Sequence, residues 1–290
     1  MDNFCEVIEN VDLKNYNTYK IGGKARYILK PYSINDLKEL INYLKDNDIK
    51  FFILGKGSNV ILSDEDFNGA IILLDNINNI LVNDVKVDVY SGCVLTKFVN
   101  HIINLGLGGL ENLYGIPGTI GGAIYGNVGC YGSVISDYLE SVTYLEDNEI
   151  KTICKNECNF MYRSSIFKND KNKIILNATF KLFKSNKDEL LKKIKENMSK
   201  RINSQPLEFP NAGSVFRNPS NVAAGKLIED LGLKNYNIND AYVSEKHANF
   251  IVNKGNAKSE DIINLIKYIK KEVKNTYDIE LILEQEIVKY

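Results

Sequence analysis

Apolar residues recur along the chain with two different spacings, which predict both helices and strands. The valines of residues 85–89 alternate with polar residues, as in a half-buried strand. Residues 33–45 instead have the spacing of a helix that Ser33 caps, with one apolar face formed by Ile34, Leu37, Leu40, Ile41 and Leu44. Further helices are predicted at 96–105, 188–200 and 259–274, and further strands at 51–54, 141–146, 174–183 and 279–288.

This order of elements predicts an α+β protein with two or three lobes. The character of the sequence changes at the lysine-rich amphipathic helix near residues 188–200. A domain boundary is therefore predicted just before this helix. Residues 1–185 would form the first domain, in two lobes of about 1–75 and 76–185. Residues 186–290 would form a smaller α+β domain.

Composition and charge exclude several classes of function. The 290 residues carry a net charge of −1, which gives no electrostatic basis for binding nucleic acid or an anionic membrane. No segment resembles a signal peptide, and no apolar run reaches the ~18 residues of a membrane span, so a cytoplasmic location is expected. The five cysteines are irregularly spaced, which favours free thiols. Cys154 and Cys158 lack a second pair and a neighbouring histidine, so no metal site is expected.

The segment LGKGSN follows a predicted strand and is a candidate for binding a phosphate. Gly55 and Gly57 allow backbone N–H groups to converge on an anion, and Ser58 and Asn59 add side-chain donors. Val60 stands where a full dinucleotide-binding motif has its third glycine. A tight turn therefore remains an equal alternative.

A second segment, residues 106–132, holds ten of the chain's 20 glycines, far more than turns require at an average usage of ~7%. Its glycines at 115, 118, 121 and 122 indicate a backbone that lies against a flat or charged group without intervening side chains. Close packing of a helix or strand on its neighbour is the alternative. A dinucleotide would account for both segments, because one loop could take its pyrophosphate while the other covers its ring system.

The segment NAGSVFRNP, residues 211–219, places Ser214 in a turn of small residues. A catalytic serine normally acts as a nucleophile beside a base, but both histidines, His101 and His247, are distant in sequence. His247 lies beside alternating apolar residues and is interpreted as structural. The residues alone leave the role of Ser214 open.

Six motifs occur along the chain in a fixed order. They are YKIGGKARY (19–27), LGKGSNVILSD (54–64), GLENLYGIPGTIGGAIYGN (109–127), YRSSIF (162–167), NAGSVFRNP (211–219) and AGKLIEDLGLKNY (224–236). Together they resemble the UDP-N-acetylenolpyruvoylglucosamine reductase (MurB) family over nearly the whole chain. The short spacing between Arg163 and Ser214 is similar to that of the shorter subtype, which lacks a tyrosine-bearing lid loop.

The resemblance implies an FAD-binding fold of the vanillyl-alcohol-oxidase (PCMH) type in residues 1–185. Residues 186–290 would bind substrate, and their final strand would return to the active site. FAD would be bound non-covalently and reduced by NADPH; the residues expected to contact it are Gly55, Lys56, Gly57, Ser58, Asn59, Gly118, Thr119, Gly121 and Gly122. The implied reaction reduces UDP-N-acetylglucosamine enolpyruvate to UDP-N-acetylmuramate in peptidoglycan synthesis. No nucleic acid, membrane or obligate protein partner is expected.

The resemblance also implies catalytic roles. Ser214 is expected to give its proton to the carbanion-like carbon that hydride transfer creates, which requires an oriented hydroxyl but no base. The guanidinium of Arg163 would stabilise the substrate carboxylate. Glu284 would stabilise the enolic intermediate as a hydrogen-bonding acid. The chain departs from the family after this glutamate, so Glu286, on the same side of a strand, is the alternative.

Tyr162, Arg217 and Asn218 are expected to bind the substrate, the last two through its UDP moiety. Family members often carry lysine where Arg217 stands, so this assignment is a hypothesis. Two other functions remain open. Another FAD oxidoreductase of the same fold, such as an oxidase of small alcohols, would leave the order of NAGSVFRNP and AGKLIEDLGL unexplained. A nucleotide-sugar or flavin-binding protein without catalysis predicts that Ser214→Ala changes nothing.

Overall fold

The computed structural model describes residue 1 and residues 3–290, in which helices and strands are interspersed. The α-helices are α1 (Ile34–Asp46), α2 (Leu95–Asn104), α3 (Ile120–Tyr125), α4 (Ile166–Asn169), α5 (Lys187–Ser204), α6 (Ala224–Asp230) and α7 (Ser259–Tyr277). In these described residues, no helix combines the length and apolar character that crossing a membrane requires.

The strands are short and occur throughout the chain. They are β1 (Cys5–Asp12), β2 (Lys24–Pro31), β3 (Phe51–Ile53), β4 (Val60–Leu62), β5 (Phe67–Ile72), β6 (Ile80–Asn83), β7 (Lys86–Tyr90), β8 (Leu107–Gly108), β9 (Gly129–Cys130), β10 (Ser133–Val134), β11 (Leu139–Glu146), β12 (Glu149–Cys154), β13 (Ile174–Lys181), β14 (Phe183–Lys184), β15 (Asn237–Ile238), β16 (Ala241–Val243), β17 (Ile251–Asn253) and β18 (Glu286–Val288). The larger sheets have the orders β1-β2-β5-β3, β12-β11-β13-β7-β6 and β15-β16-β17.

The chain divides into two units, each built from separate segments. Unit 1 comprises Met1–Ile8, Tyr27–Lys56 and Gly69–Lys200, and unit 2 comprises Glu9–Arg26, Gly57–Asn68 and Arg201–Tyr290. Unit 1 contains two hydrophobic cores, one around α1 and one around α2 and α3. Unit 2 has its own core, formed largely by α6, α7 and the strands β16 and β17.

The predicted domain boundary before α5 differs from this division. The apolar face of α5 buries Leu190 and Ile194 in a core of unit 1, so the division falls after Lys200, near the end of the helix. Two early segments belong to unit 2 because Tyr19 and Ile61 lie in its core. A boundary set by a change in local composition misses such contacts, because burial joins residues that are distant in sequence.

Most predicted elements are confirmed, with one correction at the C-terminus. The Ser33 hydroxyl caps α1 by accepting the N–H of Asp36. The strand predicted at 279–288 is shorter, because only its last part, β18, forms a regular ladder, in parallel with β4. The preceding residues make a single isolated bridge, between Leu283 and Phe216, beside the turn that contains Ser214. A bend at Gln285 separates this bridge from β18.

Candidate active site

Ser214 follows a turn whose backbone is fixed by hydrogen bonds. Oδ1 of Asn211 accepts the N–H of Gly213 at 3.0 Å, and Nδ2 of Asn211 donates to the carbonyl of Phe209 at 2.8 Å. Gly213 has a φ of +73°, in the left-handed region that favours glycine. Ser214 is half-buried and forms an isolated bridge with Phe250. The small residues of the motif therefore build a turn that gives Ser214 a defined backbone position.

Two neighbouring segments hold the residues that follow this turn. The buried side chain of Asn249 accepts the N–H of Phe216 at 3.0 Å and donates to its carbonyl at 2.8 Å. The carbonyl of Asn249 also accepts the N–H of Val215 at 2.9 Å, while the N–H of Glu284 donates to the carbonyl of Val215 at 2.8 Å. The predicted proton donor Ser214 and the predicted carboxyl group of Glu284 therefore belong to adjacent segments of unit 2.

Glu284 and Glu286 flank the buried Gln285 and are themselves half-buried. The backbone bends at Gln285, and β18 begins at Glu286. Asn59, the last residue of LGKGSN, forms hydrogen bonds with the backbone of both glutamates. Its Nδ2 donates to the carbonyl of Glu284 at 3.2 Å, and its carbonyl accepts the N–H of Glu286 at 2.9 Å. The end of this loop thus lies beside the backbone of both candidate glutamates.

The first half of LGKGSN lies in unit 1, beside the second glycine-rich segment. A Cβ atom at Gly55 would lie 3.0 Å from Oγ1 of Thr119. Thr119 caps α3 through this oxygen, which accepts the N–H of Gly122 at 3.2 Å. The ammonium group of Lys56 lies 3.0 Å from a carboxylate oxygen of Asp75 and so already has an anionic partner. The two predicted cofactor-binding segments therefore meet at the start of α3.

Packing within the protein explains two of these glycines but leaves a third unexplained. A Cβ atom at Gly57 would lie 2.4 Å from a backbone carbonyl oxygen, and one at Gly121 would lie 3.0 Å from Cβ of Ser91. At Gly122, however, the nearest neighbouring atom is Oγ1 of Thr119 at 3.6 Å, an ordinary contact. A helix is more stable with alanine than with glycine by up to about 1 kcal/mol. Glycine at position 122 therefore fits a bound group that lies against the start of α3.

Arg163 occupies a strained position in a two-residue turn. The flanking Met161 and Ser164 exchange backbone hydrogen bonds of 3.1 Å, and Nδ2 of Asn127 donates to the carbonyl of Met161 at 3.0 Å. Arg163 has a φ of +56°, which costs an ordinary residue about 1–2 kcal/mol. Its guanidinium Nη2 donates to the carbonyl of Gly129 at 3.1 Å. Strained backbone of this kind occurs preferentially at functional sites.

The three predicted substrate-binding residues differ in their surroundings. Tyr162 is 52% exposed, and the guanidinium of Arg163 lies 5.1 Å from its ring centroid. Nε of Arg217 is buried and has no hydrogen-bond partner among the residues that the structure describes; an unsatisfied guanidinium N–H of this kind suits an anionic ligand. Oδ1 of Asn218 accepts the N–H of Ala224 at 3.0 Å. This oxygen therefore helps to cap α6, which leaves the amide nitrogen of Asn218 for a ligand.

Three buried amides support these positions without having been predicted from the sequence: Asn127, Asn249 and Gln285. Each donates to the backbone of a turn that carries a predicted catalytic residue. Their signal in the sequence was a polar residue within an apolar segment, as in ILEQEIV or HANFIV. A buried amide needs hydrogen-bond partners, but sequence alone does not show which backbone groups supply them.

His247 and Cys158 are held by hydrogen bonds to or from their own neighbours in sequence. Nδ1 of His247 accepts the N–H of Asn249 at 3.2 Å, and burial lowers the pKa of the imidazole. The thiol of Cys158 donates to the carbonyl of Cys154 at 3.4 Å, and burial raises the pKa of that thiol. Within residue 1 and residues 3–290, no group of His, Cys, Asp and Glu side chains is arranged to hold a metal ion.

Comparison with known proteins finds two matching family models and close relatives. Residues 205–288 match the C-terminal domain of UDP-N-acetylenolpyruvoylglucosamine reductase, and residues 25–150 match an FAD binding domain. The UDP-N-acetylenolpyruvoylglucosamine reductase of Fervidobacterium nodosum is 42% identical over 286 residues, covering 98% of this chain and 93% of the relative. That of Carboxydothermus hydrogenoformans is 43% identical over 284 residues, covering 97% and 94%.

Two solved structures are also similar to the chain, one over nearly its whole length and one over part of it. The crystal structure of UDP-N-acetylenolpyruvylglucosamine reductase (MurB) from Thermus caldophilus has a TM-score of 0.84 at 32% identity, covering 99% of this chain and 100% of that one. The 6-hydroxy-D-nicotine oxidase of Arthrobacter nicotinovorans has a TM-score of 0.50 at 17% identity, covering 62% and 42%, and shares the fold alone. Together with the family models, these matches confirm the predicted α+β fold, in which an FAD-binding fold of the vanillyl-alcohol-oxidase type precedes a C-terminal domain.

Proposed function

Because the chain belongs to the UDP-N-acetylenolpyruvoylglucosamine reductase family, we propose that it reduces UDP-N-acetylglucosamine enolpyruvate to UDP-N-acetylmuramate, with NADPH as reductant and FAD as bound cofactor. The observation that carries this proposal is the Ser214 turn, which hydrogen bonds from Asn211 and Asn249 fix beside the segment of Glu284. A small-alcohol oxidase is disfavoured, because residues 205–288 match the C-terminal domain of the reductase.

The two glycine-rich segments would hold the cofactor. FAD, when bound, would supply hydride transfer from NADPH to the enolpyruvyl double bond. Backbone N–H groups of residues 55–59 would contact its pyrophosphate, as Gly57 with its φ of +61° allows. The start of α3 would lie against the cofactor, because packing within the protein leaves room for a side chain at Gly122.

Alanine at position 122 is expected to have opposite effects on the cofactor-free and cofactor-bound protein. Without FAD, Gly122→Ala should raise the free energy of unfolding by up to about 1 kcal/mol, because alanine favours the helix. Its methyl group should weaken FAD binding about tenfold or more. The control Gly121→Ala has the same helix preference, but its Cβ would lie 3.0 Å from Cβ of Ser91, so the cofactor-free protein should be less stable than with Gly122→Ala. Denaturant melts measure the free energy of unfolding, and titrations measure the affinity for FAD. If Gly122→Ala bound FAD with unchanged affinity, the cofactor would not lie against this part of α3.

The side chains would act on the substrate in complementary ways. Hydride addition leaves negative charge on the carbon next to the substrate carboxylate. The hydroxyl of Ser214 would protonate this carbon, and the guanidinium of Arg163 would stabilise the carboxylate as charge spreads into it. A carboxyl group at Glu284 would hydrogen-bond the enolic intermediate. The guanidinium of Arg217 and the amide nitrogen of Asn218 would bind the UDP moiety, and Tyr162 would contact the substrate.

Single amide substitutions separate the two candidate carboxyl groups. Glu284→Gln is expected to slow substrate-dependent oxidation of the reduced flavin by about 10²-fold, within the range of lost acid–base catalysis. Glu286→Gln serves as the matched control, because it makes the same change at another half-buried glutamate two residues away, and its rate should fall less than tenfold. Stopped-flow absorbance measures both rates. The reverse order of effects would transfer the role to Glu286.

The proposed function is tested by NADPH oxidation with and without the enolpyruvyl nucleotide sugar. The purified protein should bind FAD, and the sugar should accelerate NADPH oxidation strongly while UDP-N-acetylmuramate accumulates in equal amount. UDP-N-acetylglucosamine, which lacks the enolpyruvyl group, is the control and should give no acceleration. A colourless protein that fails to bind FAD on reconstitution, or one that gives the same rate with both sugars, would refute the proposal.

A further inference from the structure

We propose that Gln285 and Tyr19 are positioning residues whose paired side chains hold the backbone of the Ser214 turn in the geometry needed for proton donation. The inference rests on the proposed function and deepens it. It assigns a role to a glutamine that lies between the two candidate carboxylates, and to a tyrosine in the motif YKIGG.

The side chain of Gln285 reaches the two residues that precede Ser214. It is 3% exposed, and its Nε2 donates to the carbonyl of Ala212 at 3.0 Å and to that of Gly213 at 3.2 Å. An amide nitrogen has two N–H donors, so both are used on consecutive peptide groups. These peptide groups set the direction in which the chain enters Ser214.

Tyr19 fixes the orientation of the Gln285 amide. Its hydroxyl donates to Oε1 of Gln285 at 3.1 Å, and the tyrosine is fully buried. Because Oε1 faces this donor, Nε2 must face the two carbonyls. Nδ2 of the buried Asn253 donates to the carbonyl of Tyr19 at 3.0 Å, which holds the tyrosine itself. Burial raises the pKa of the Tyr19 hydroxyl well above its ordinary value, so it remains a donor at neutral pH.

The space beside Gly213 is open, although the preceding Ala212 is buried. A Cβ atom built on Gly213 would find no neighbouring atom within 4 Å. Hydrogen bonds from Gln285 and Asn211 therefore help to restrain the peptide groups around Gly213. A hydroxyl that must meet a reacting carbon is sensitive to such restraint, because a displacement of about 1 Å can lower a rate about 10²-fold.

Two substitutions of nearly constant shape test the proposal. Tyr19→Phe removes only the hydroxyl, and Gln285→Met replaces the amide by an apolar side chain of similar length. Tyr268→Phe is the matched control. Tyr268 lies on α7 of the same unit, and its hydroxyl also hydrogen-bonds a side chain, that of Tyr236. Each FAD-loaded variant is reduced with NADPH and then mixed with the enolpyruvyl nucleotide sugar. Hydrogen–deuterium exchange of residues 211–217 is measured separately, without substrate.

Gln285→Met is expected to slow reoxidation of the flavin by about 10²-fold and Tyr19→Phe by about tenfold. In both variants NADPH should reduce the flavin at the wild-type rate, and residues 211–217 should exchange faster. Tyr268→Phe should change neither property. Tyr19→Phe alone decides the matter if Gln285→Met does not fold.

The proposal is wrong if these variants melt at lower temperature but keep the wild-type reoxidation rate and the wild-type exchange of residues 211–217. The two side chains would then only fill the core. Failure of the proposed function looks different, because the wild-type protein itself would not be reoxidised by the nucleotide sugar.

Discussion

Replacing Ser214 by alanine is expected to slow reoxidation of the flavin by the enolpyruvyl nucleotide sugar by about 10²–10⁴-fold, the usual contribution of a positioned proton donor. Reduction of the flavin by NADPH should proceed at the wild-type rate, because that step uses no proton from this hydroxyl. The turn should survive, since Asn211 and Asn249 bond to backbone groups and the peptide chain is unchanged. Stopped-flow measurement of the two half-reactions separates these effects.

Ser220→Ala provides the control for this prediction, because it removes an exposed serine hydroxyl six residues further along the chain. It should leave both half-reactions unchanged. The solvent isotope effect gives a second readout, since in D₂O the wild-type reoxidation should slow as the hydroxyl delivers deuterium. If Ser214→Ala reoxidises at the wild-type rate, another group donates the proton and the assignment fails.

The parts of the site that sequence could predict are those with strong local signals. Glycine at position 213 and asparagine at position 211 indicate a turn, and the structure contains it with the expected left-handed glycine. The apolar face of α1 was also evident, because its spacing is fixed by helical geometry alone. In both cases neighbours in sequence determine the conformation.

The contacts that sequence could not predict join residues that are far apart in the chain. Tyr19 meets Gln285 across 266 positions, and Asn59 meets Glu284 across 225. Neither pair has a local pattern, because their geometry follows from how the core of unit 2 closes around Tyr19 and Ile61. The strain at Arg163 was equally hidden, since arginine has no intrinsic preference for a positive φ.

Replacing Arg163 by lysine is expected to lower the rate of substrate reduction by about 10²–10³-fold, the effect of losing one preorganised donor to developing charge. Lysine keeps the positive charge but not the planar pair of N–H donors that matches a carboxylate. The rate of flavin reduction by NADPH should not change. A loss smaller than about tenfold in the substrate-dependent half-reaction would show that charge alone suffices, and would exclude bidentate recognition at this position.

Arg163→Gly separates the proposed catalytic role of this residue from a structural one. Glycine adopts a φ of +56° without the penalty of about 1–2 kcal/mol that a side chain incurs. The relieved strain should offset the loss of the hydrogen bond to Gly129 and of the contact with the Tyr162 ring, so the free energy of unfolding should stay within about 1 kcal/mol of the wild-type value. At Arg26, an exposed residue of β2, the same substitution should destabilise the protein by about 0.5–1 kcal/mol. An inactive Arg163→Gly protein of wild-type stability would mean that the arginine is needed for its chemistry, although its positive φ favours glycine. Marked destabilisation in a denaturant melt would instead make it a structural residue.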